Sequence, residues 1–204
     1  MIGSPDHFDV LEDAMTISTA NSSSPSPEDS SMHRPRVLPL PGLTTTDTIV
    51  LRESVRAALR STMLTYLVGA EIAASAEKAG LSPAEIEEAF GELHRCRLLT
   101  AFGHGSTPVR VDLTSHGFLA GLPAAEPRAE QIHLALITGM LAVDPAGPGR
   151  WLDFRNLADQ HDTEPLVIEQ LLMQLKNQGQ IGFVPMYGGA LLTRISPALR
   201  RQLP

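Results

Sequence analysis

Apolar residues along this chain fall into helical and strand periods that come round twice. Val50, Leu51, Val55, Leu59, Met63, Leu64 and Leu67 recur at helical spacing, which predicts a long helix beginning near Asp47, with Arg52, Arg56 and Arg60 on another face. A second helix is expected over residues 70–78, closed by Gly80. The third has the clearest start signal in the chain: Ser82 as N-cap, Pro83 at the first position and Glu85 three residues after the cap. Ile86, Ala89, Phe90 and Leu93 then face the core, and the helix runs to about Arg95. Residues 98–102 and 109–113 read as short strands flanking turn chemistry at 103–108, which predicts a hairpin, and Leu113-Thr114-Ser115-His116-Gly117 leads into another short helix.

The same order returns 82 residues later without a gap. Residues 71–87 lie over 153–169, and at this offset Ala76, Pro83, Ile86, Glu87 and Leu93 are matched by Ala158, Pro165, Ile168, Glu169 and Leu175, while Leu113-Thr114 falls on Ile195-Ser196. The second copy predicts a helix over 128–143, a longer loop at 144–149, and Trp151 and Leu152 laid against the core. Asp153 caps its second helix, and Thr163 or Glu164 opens its third before Pro165, with Ile168, Leu171, Leu172 and Leu175 inward. A wing of residues 181–184 and 190–195 about a tight turn follows, and Ser196-Pro197 starts a final helix. The pattern divides the chain into a tail (1–46) and two copies of one small domain (47–123 and 124–204).

The tail has a different composition. From Ser18 to Thr46 it is dominated by Ser, Thr and Pro with few aliphatics, too little apolar surface to offset the entropy of ordering, and it reads as a disordered linker. Before it, Phe8, Leu11 and Met15 at i, i+3 and i+7 have the spacing of a short amphipathic helix that enters a partner's groove. Six tail acids against Arg34 and Arg36 supply −4 of the net charge of −7, so the folded part is close to neutral. It lacks the domain-wide basic excess that marks a phosphate-binding footprint.

Several classes of function drop out. The longest apolar stretches, near 63–74 and 134–143, fall short of the roughly 20 residues that cross a bilayer. The first residues lack the basic and apolar regions of a signal peptide, and Cys96 is the only cysteine, so a cytoplasmic location without an internal disulfide is expected. There is no P-loop, G-x-G-x-x-G or G-x-S-x-G, and His94, Cys96, His104 and His116 form neither a C-x-x-C nor an H-x-x-x-H pair. No catalytic residue, metal ligand or cofactor is assigned. A small effector's pocket between the two units is compatible with the pattern, though no residue locates one.

Three helices, a hairpin, and the Leu113-Thr114-x-x-Gly117 segment that closes it resemble the winged-helix superfamily, in particular units of the MarR and PadR sort. The resemblance covers roughly residues 47–204 and implies a mainly α fold with small β-hairpin wings, two tandem winged-helix domains after a disordered tail. In size and plan it is also similar to the kite-type tandem winged-helix subunits of bacterial condensin complexes, which dimerise and clasp a kleisin chain. A DNA-reading unit of this fold presents its third helix to the major groove. Here the outward set of the first unit is Glu85, Glu87, Glu88, Gly91, Glu92 and Arg95, acids that duplex phosphates repel. The second unit offers Glu164, Glu169, Gln170, Gln174, Lys176 and Asn177.

The favoured expectation is therefore a protein-binding subunit or adaptor of a condensin-like complex, itself a dimer, with Phe8, Leu11, Met15, Arg52, Arg56, Arg60, Glu85, Glu88 and Glu92 meeting the partner. The alternative is a MarR- or PadR-type regulator in which Arg95, Arg110, Gln170, Gln174, Lys176 and Asn177 meet DNA.

Overall fold

The computed structural model describes residues 39–103, 107–142 and 150–201. Phe8, Leu11, Met15, the linker up to Leu38, His104 and the 144–149 loop lie outside the described residues. The fold is mostly helical, with two small three-stranded antiparallel sheets. Helix α1 (Thr45–Ser61) leads to strand β1 (Leu67–Val68), helices α2 (Gly69–Lys78) and α3 (Pro83–Arg95), strands β2 (Leu99–Phe102) and β3 (Arg110–Leu113), and helix α4 (Ser115–Ala125). The order then repeats with α5 (Ala129–Leu141), β4 (Arg150–Asp153), α6 (Phe154–Gln160), α7 (Pro165–Asn177), β5 (Ile181–Met186), β6 (Gly189–Ile195) and α8 (Pro197–Arg200). The sheets run β1-β3-β2 and β4-β6-β5.

Helix α1 starts earlier than Asp47 and stops earlier than Leu67. Thr44 caps it: its hydroxyl accepts from the Asp47 N–H at 3.1 Å, and the Asp47 carboxylate accepts from the Thr44 N–H at 2.9 Å. Thr44 to Thr46, placed above in the linker, thus open the helix, and Leu40 and Leu43 pack against the core. At the far end Thr62 turns left-handed (φ +56°) and returns its N–H to the Ala58 and Leu59 carbonyls. Met63, Leu64 and Leu67 therefore leave the helix, and Leu67 is buried from the sheet side as part of β1, a strand too short to show a period. The second copy does likewise with Leu152, buried in β4, whereas Trp151, expected against the core, is 45 % exposed because the strand's alternation turns it to the opposite face of the sheet.

The 82-residue offset is written into backbone hydrogen bonds. Helices α3 and α7 have matching bounds, each with proline in its first turn. Thr114 N–H donates to the Leu98 carbonyl as Ser196 N–H does to Gln180, at 3.1 and 2.8 Å; Leu98 N–H donates to Leu93 as Gln180 does to Leu175, and Leu81 N–H to Ala76 as Thr163 does to Ala158. Left-handed turns recur at Gly80 and Asp162 and at Arg97 and Gly179. Ile86 and Ile168, Phe90 and Leu172, and Leu93 and Leu175 are buried at equivalent places.

The Leu-Thr-x-x-Gly segment has a steric basis. Thr114 caps α4 by accepting the Gly117 N–H at 2.9 Å and donates its hydroxyl to the Leu98 carbonyl at 3.0 Å. A Cβ on Gly117 would lie 1.8 Å from that same carbonyl oxygen, so the helix comes against β2 only with glycine there. The second copy holds the buried Leu199 at the matching place. Alanine at Gly117 gains about 1 kcal/mol of helix propensity, but a fixed backbone carbonyl cannot move aside, and overpacking of about 1–3 kcal/mol outweighs the gain. Urea denaturation should show Gly117→Ala less stable than wild type, and Thr114→Ala less stable by about 1 kcal/mol through loss of the cap. A neutral or stabilising Gly117→Ala would refute the close approach.

Candidate partner-binding surfaces

Of the cations proposed from sequence, Arg52, Arg56, Arg95 and Arg110 are held by neighbouring acids. Arg52 is only 8 % exposed, and its Nε donates to Glu53 Oε1 at 2.8 Å, the atom that also accepts from Arg56 Nη1 at 2.9 Å. Arg52 is therefore no surface contact, a correction to the basic stripe expected above: α1 is buried on nearly every side, so a residue off its apolar face is enclosed too. Arg56 is half-exposed and Arg60 exposed at the helix end. Arg95 is exposed, with its Nε on Glu92 Oε2 at 2.9 Å; this guanidinium holds the Glu92 carboxyl below the usual carboxylate range.

Arg110 stands at the centre of the first sheet's outer face. Register places Val68, Arg110 and Phe102 side by side across the three strands, and Leu67, Val111 and Ala101 in the row that faces inward. The Arg110 guanidinium lies between two rings, 3.6 Å from the Tyr66 centroid and 4.8 Å from that of Phe102. Its Nε donates to Asp112 Oδ1 at 2.8 Å, its Nη2 to Oδ2, and the Tyr66 N–H donates to Oδ1 at 2.8 Å. Arg110 beside it holds Asp112 below its ordinary range. The charge is matched within the sheet, and the surface presented is chiefly aromatic and aliphatic.

The second sheet has a similar apolar row, with its arginines, Arg150 and Arg194, exposed outside that row. Trp151, Leu191 and Val184 share a cross-strand row, while Leu192 and Phe183 face inward beyond a bulge at Gly182/Phe183. Of the ten large apolar side chains exposed among the described residues, all but Leu134 lie on or beside the two sheets: Met63, Tyr66, Val68, Phe102 and Val109 on the first, Trp151, Val184, Met186 and Tyr187 on the second. The signal was in the sequence, as alternating apolar residues on both sides of the wing strands.

The third helices are placed as expected, with one exception. Glu87, Glu88 and Arg95 are exposed on α3; Glu85 is half-buried and accepts from the Ser82 N–H at 2.8 Å in the capping box. Asp47, Glu85, Glu88 and Glu92 line a cleft of about 530 Å³ between α3 and the start of α1. On α7, Asn177 is exposed, Gln174 half-buried, and the Lys176 ammonium lies 4.6 Å from the Phe183 ring centroid. Gln170 is only 5 % exposed and cannot read bases, because its turn of α7 faces the protein interior. Among the described residues no group of His, Cys, Asp and Glu is placed to hold a metal; His94 Nδ1 accepts the Ala101 N–H at 3.3 Å, and the Cys96 thiol donates to Glu92. No described helix is long and apolar enough to cross a membrane.

The Arg52–Glu53 pair makes these placements testable. Removing the acid leaves a buried guanidinium uncompensated, so Glu53→Gln should cost on the order of 3 kcal/mol in denaturant titrations, while Arg56→Ala should stay within about 1 kcal/mol. Equal and small effects would show that Arg52 reaches solvent. Comparison with family models, with curated proteins and with solved structures finds no match to this chain.

Proposed function

We propose that the chain is a tandem winged-helix protein that acts without catalysis, in the cytoplasm, by binding a protein partner as a subunit or adaptor of a chromosome-associated, condensin-like complex. The observation that carries the reading is the pair of apolar sheet faces. Tyr66, Val68 and Phe102 on one, and Trp151, Val184 and Met186 on the other, supply the aromatic and aliphatic anchors typical of protein interfaces. Duplex DNA offers little for such a surface, since affinity there comes first from cations on phosphates. Arg95 and Arg110, the arginines assigned to DNA in the alternative reading, are paired with Glu92 and Asp112, and Arg52 with Glu53, so that DNA would have to be met by other exposed cations such as Arg97, Arg150, Arg155 and Arg194. The acidic cleft beside α3 adds a complementary site for a partner's basic side chains.

Two measurements on the full chain test this. In gel shifts on mixed duplex DNA across a salt series, the wild-type protein should bind poorly at physiological salt. In capture experiments from its own cells, an SMC-type ATPase or kleisin chain should co-purify, and Phe102→Asp with Trp151→Asp should abolish capture without unfolding. Glu88→Lys with Glu92→Lys should weaken capture at least about tenfold by replacing attraction with repulsion. Tight, sequence-selective DNA binding lost on Lys176→Ala and Asn177→Ala would instead establish the MarR- or PadR-type regulator.

A further inference from the structure

Strand β2 is the outer strand of the first sheet, which runs β1-β3-β2, so one side of it has no neighbouring strand. Register sets Ala101 opposite Val111 of β3, yet the Ala101 N–H leaves the sheet and donates to His94 Nδ1 at 3.3 Å, longer than the usual distance of about 3.0 Å. In an antiparallel ladder a residue that turns its N–H outward turns its C=O outward as well. The open side of β2 therefore presents a donor and an acceptor, and a side chain from α3 stands in for a strand at the donor alone.

Sheet edges are ordinarily blunted by proline, a bulge or a charge. The outer strand of the second sheet, β5, has two of these, Pro185 and the bulge at Gly182/Phe183. Strand β2, Leu99-Thr100-Ala101-Phe102, has none of the three. Beside it lies a groove whose α3 wall is formed by Glu87, Phe90, Gly91 and His94. A Cβ on Gly91 would meet nothing within 4 Å, so no other element stands over α3 at that point.

A strand laid along β2 alternates its side chains between two surroundings. Those beside Phe102 fall on the outer face, where that ring is exposed. Those beside Ala101 fall on the inner side, toward α3, where Glu87 lines the groove and Glu88 is exposed one residue on. Apolar residues suit the first, and Lys or Arg the second. A second copy of this chain fits poorly, because it brings its own acidic α3 against this one.

We propose that the open side of β2 takes up an extended partner segment of alternating apolar and basic residues, which pairs with Ala101 as a fourth strand and displaces His94. The inference rests on the protein-binding reading and specifies how the partner is held: main-chain hydrogen bonds give affinity and the alternation gives selectivity.

The test titrates the full chain with the capped peptide Lys-Val-Lys-Val-Lys-Val-Lys, followed by amide and imidazole nitrogen NMR. Saturable shifts should appear at Ala101 and Gly103, and the His94 Nδ1 resonance should move as its bond to Ala101 breaks. Two further peptides carry N-methyl groups, one at the valines and one at the lysines. Only alternate amides of an added strand face β2, so one of these should lose binding and the other keep it. The same peptide with Glu for Lys should not bind. Ala101→Pro, which removes the N–H as Pro185 does in β5, should weaken binding at least about fivefold. No saturable shift at Ala101, equal affinities of the two methylated peptides, or binding of the Glu peptide would overturn the proposal. If Ala101→Pro does not fold, the methylated pair on the wild type decides. Should an SMC-type ATPase or kleisin be captured while the methylated peptides bind alike, this inference falls and the protein-binding reading stands; pairing at Ala101 without such capture gives the reverse.

Discussion

A helix enclosed on every side has to satisfy its own polar groups, and α1 is such a helix: residues 47–55 are all buried, with α2, α3 and α4 packed around it. Asp47 is held by the Thr44 cap, Thr48 donates its hydroxyl to the Thr44 carbonyl at 2.9 Å, and Ser54 donates to the Val50 carbonyl at 2.8 Å. Arg52 and Glu53 meet each other at 2.8 Å. Each of these groups would cost several kcal/mol if buried alone, so the pairing is a condition for the packing. The first unit's other elements take their places from this helix, and the charges of its buried stretch, Asp47, Arg52 and Glu53, are satisfied inside the protein.

The doubled architecture rests on a different constraint, the joint that turns a helix into the next element. In both copies the chain leaves the third helix through a left-handed residue, Arg97 or Gly179, and the next N–H returns to the carbonyl of Leu93 or Leu175. These are main-chain bonds, so they tolerate wide side-chain change. Only where backbone meets backbone closely does identity tighten, as at Gly117 against Leu98, and there the two copies part company.

Much of this was legible in the chain. Helices α3 and α7 carry their starts in proline and their faces in aliphatic spacing, and the wing strands announce themselves around turn residues. What escaped has physical reasons. The cap of α1 uses Thr44 with Asp47 in place of glutamate, so the usual motif is absent although the geometry is made. Strand β1 has two residues and no period. Arg52 and Gln170 lie off the apolar stripe of their helices, yet are covered by neighbours that no single helix's pattern reveals.

Under the protein-binding reading, the two features of the first unit belong to one surface. Between α3 and the wing runs a groove of about 240 Å³ lined by Glu87, Phe90, His94, Ala101 and Pro108. It borders the acidic face of α3 and the edge strand β2, whose Phe102 projects on the opposite, outer face of the sheet. An amphipathic partner segment that wraps the edge of β2 would bury apolar side chains on Phe102 and set basic ones toward the carboxylates. Affinity then comes from desolvating the aromatic sheet, and direction from charge, since exposed ion pairs contribute little energy but fix orientation. The second unit lacks the acidic helix and offers the Trp151 face alone, so the partner's register is set in the first unit and its affinity is shared between both.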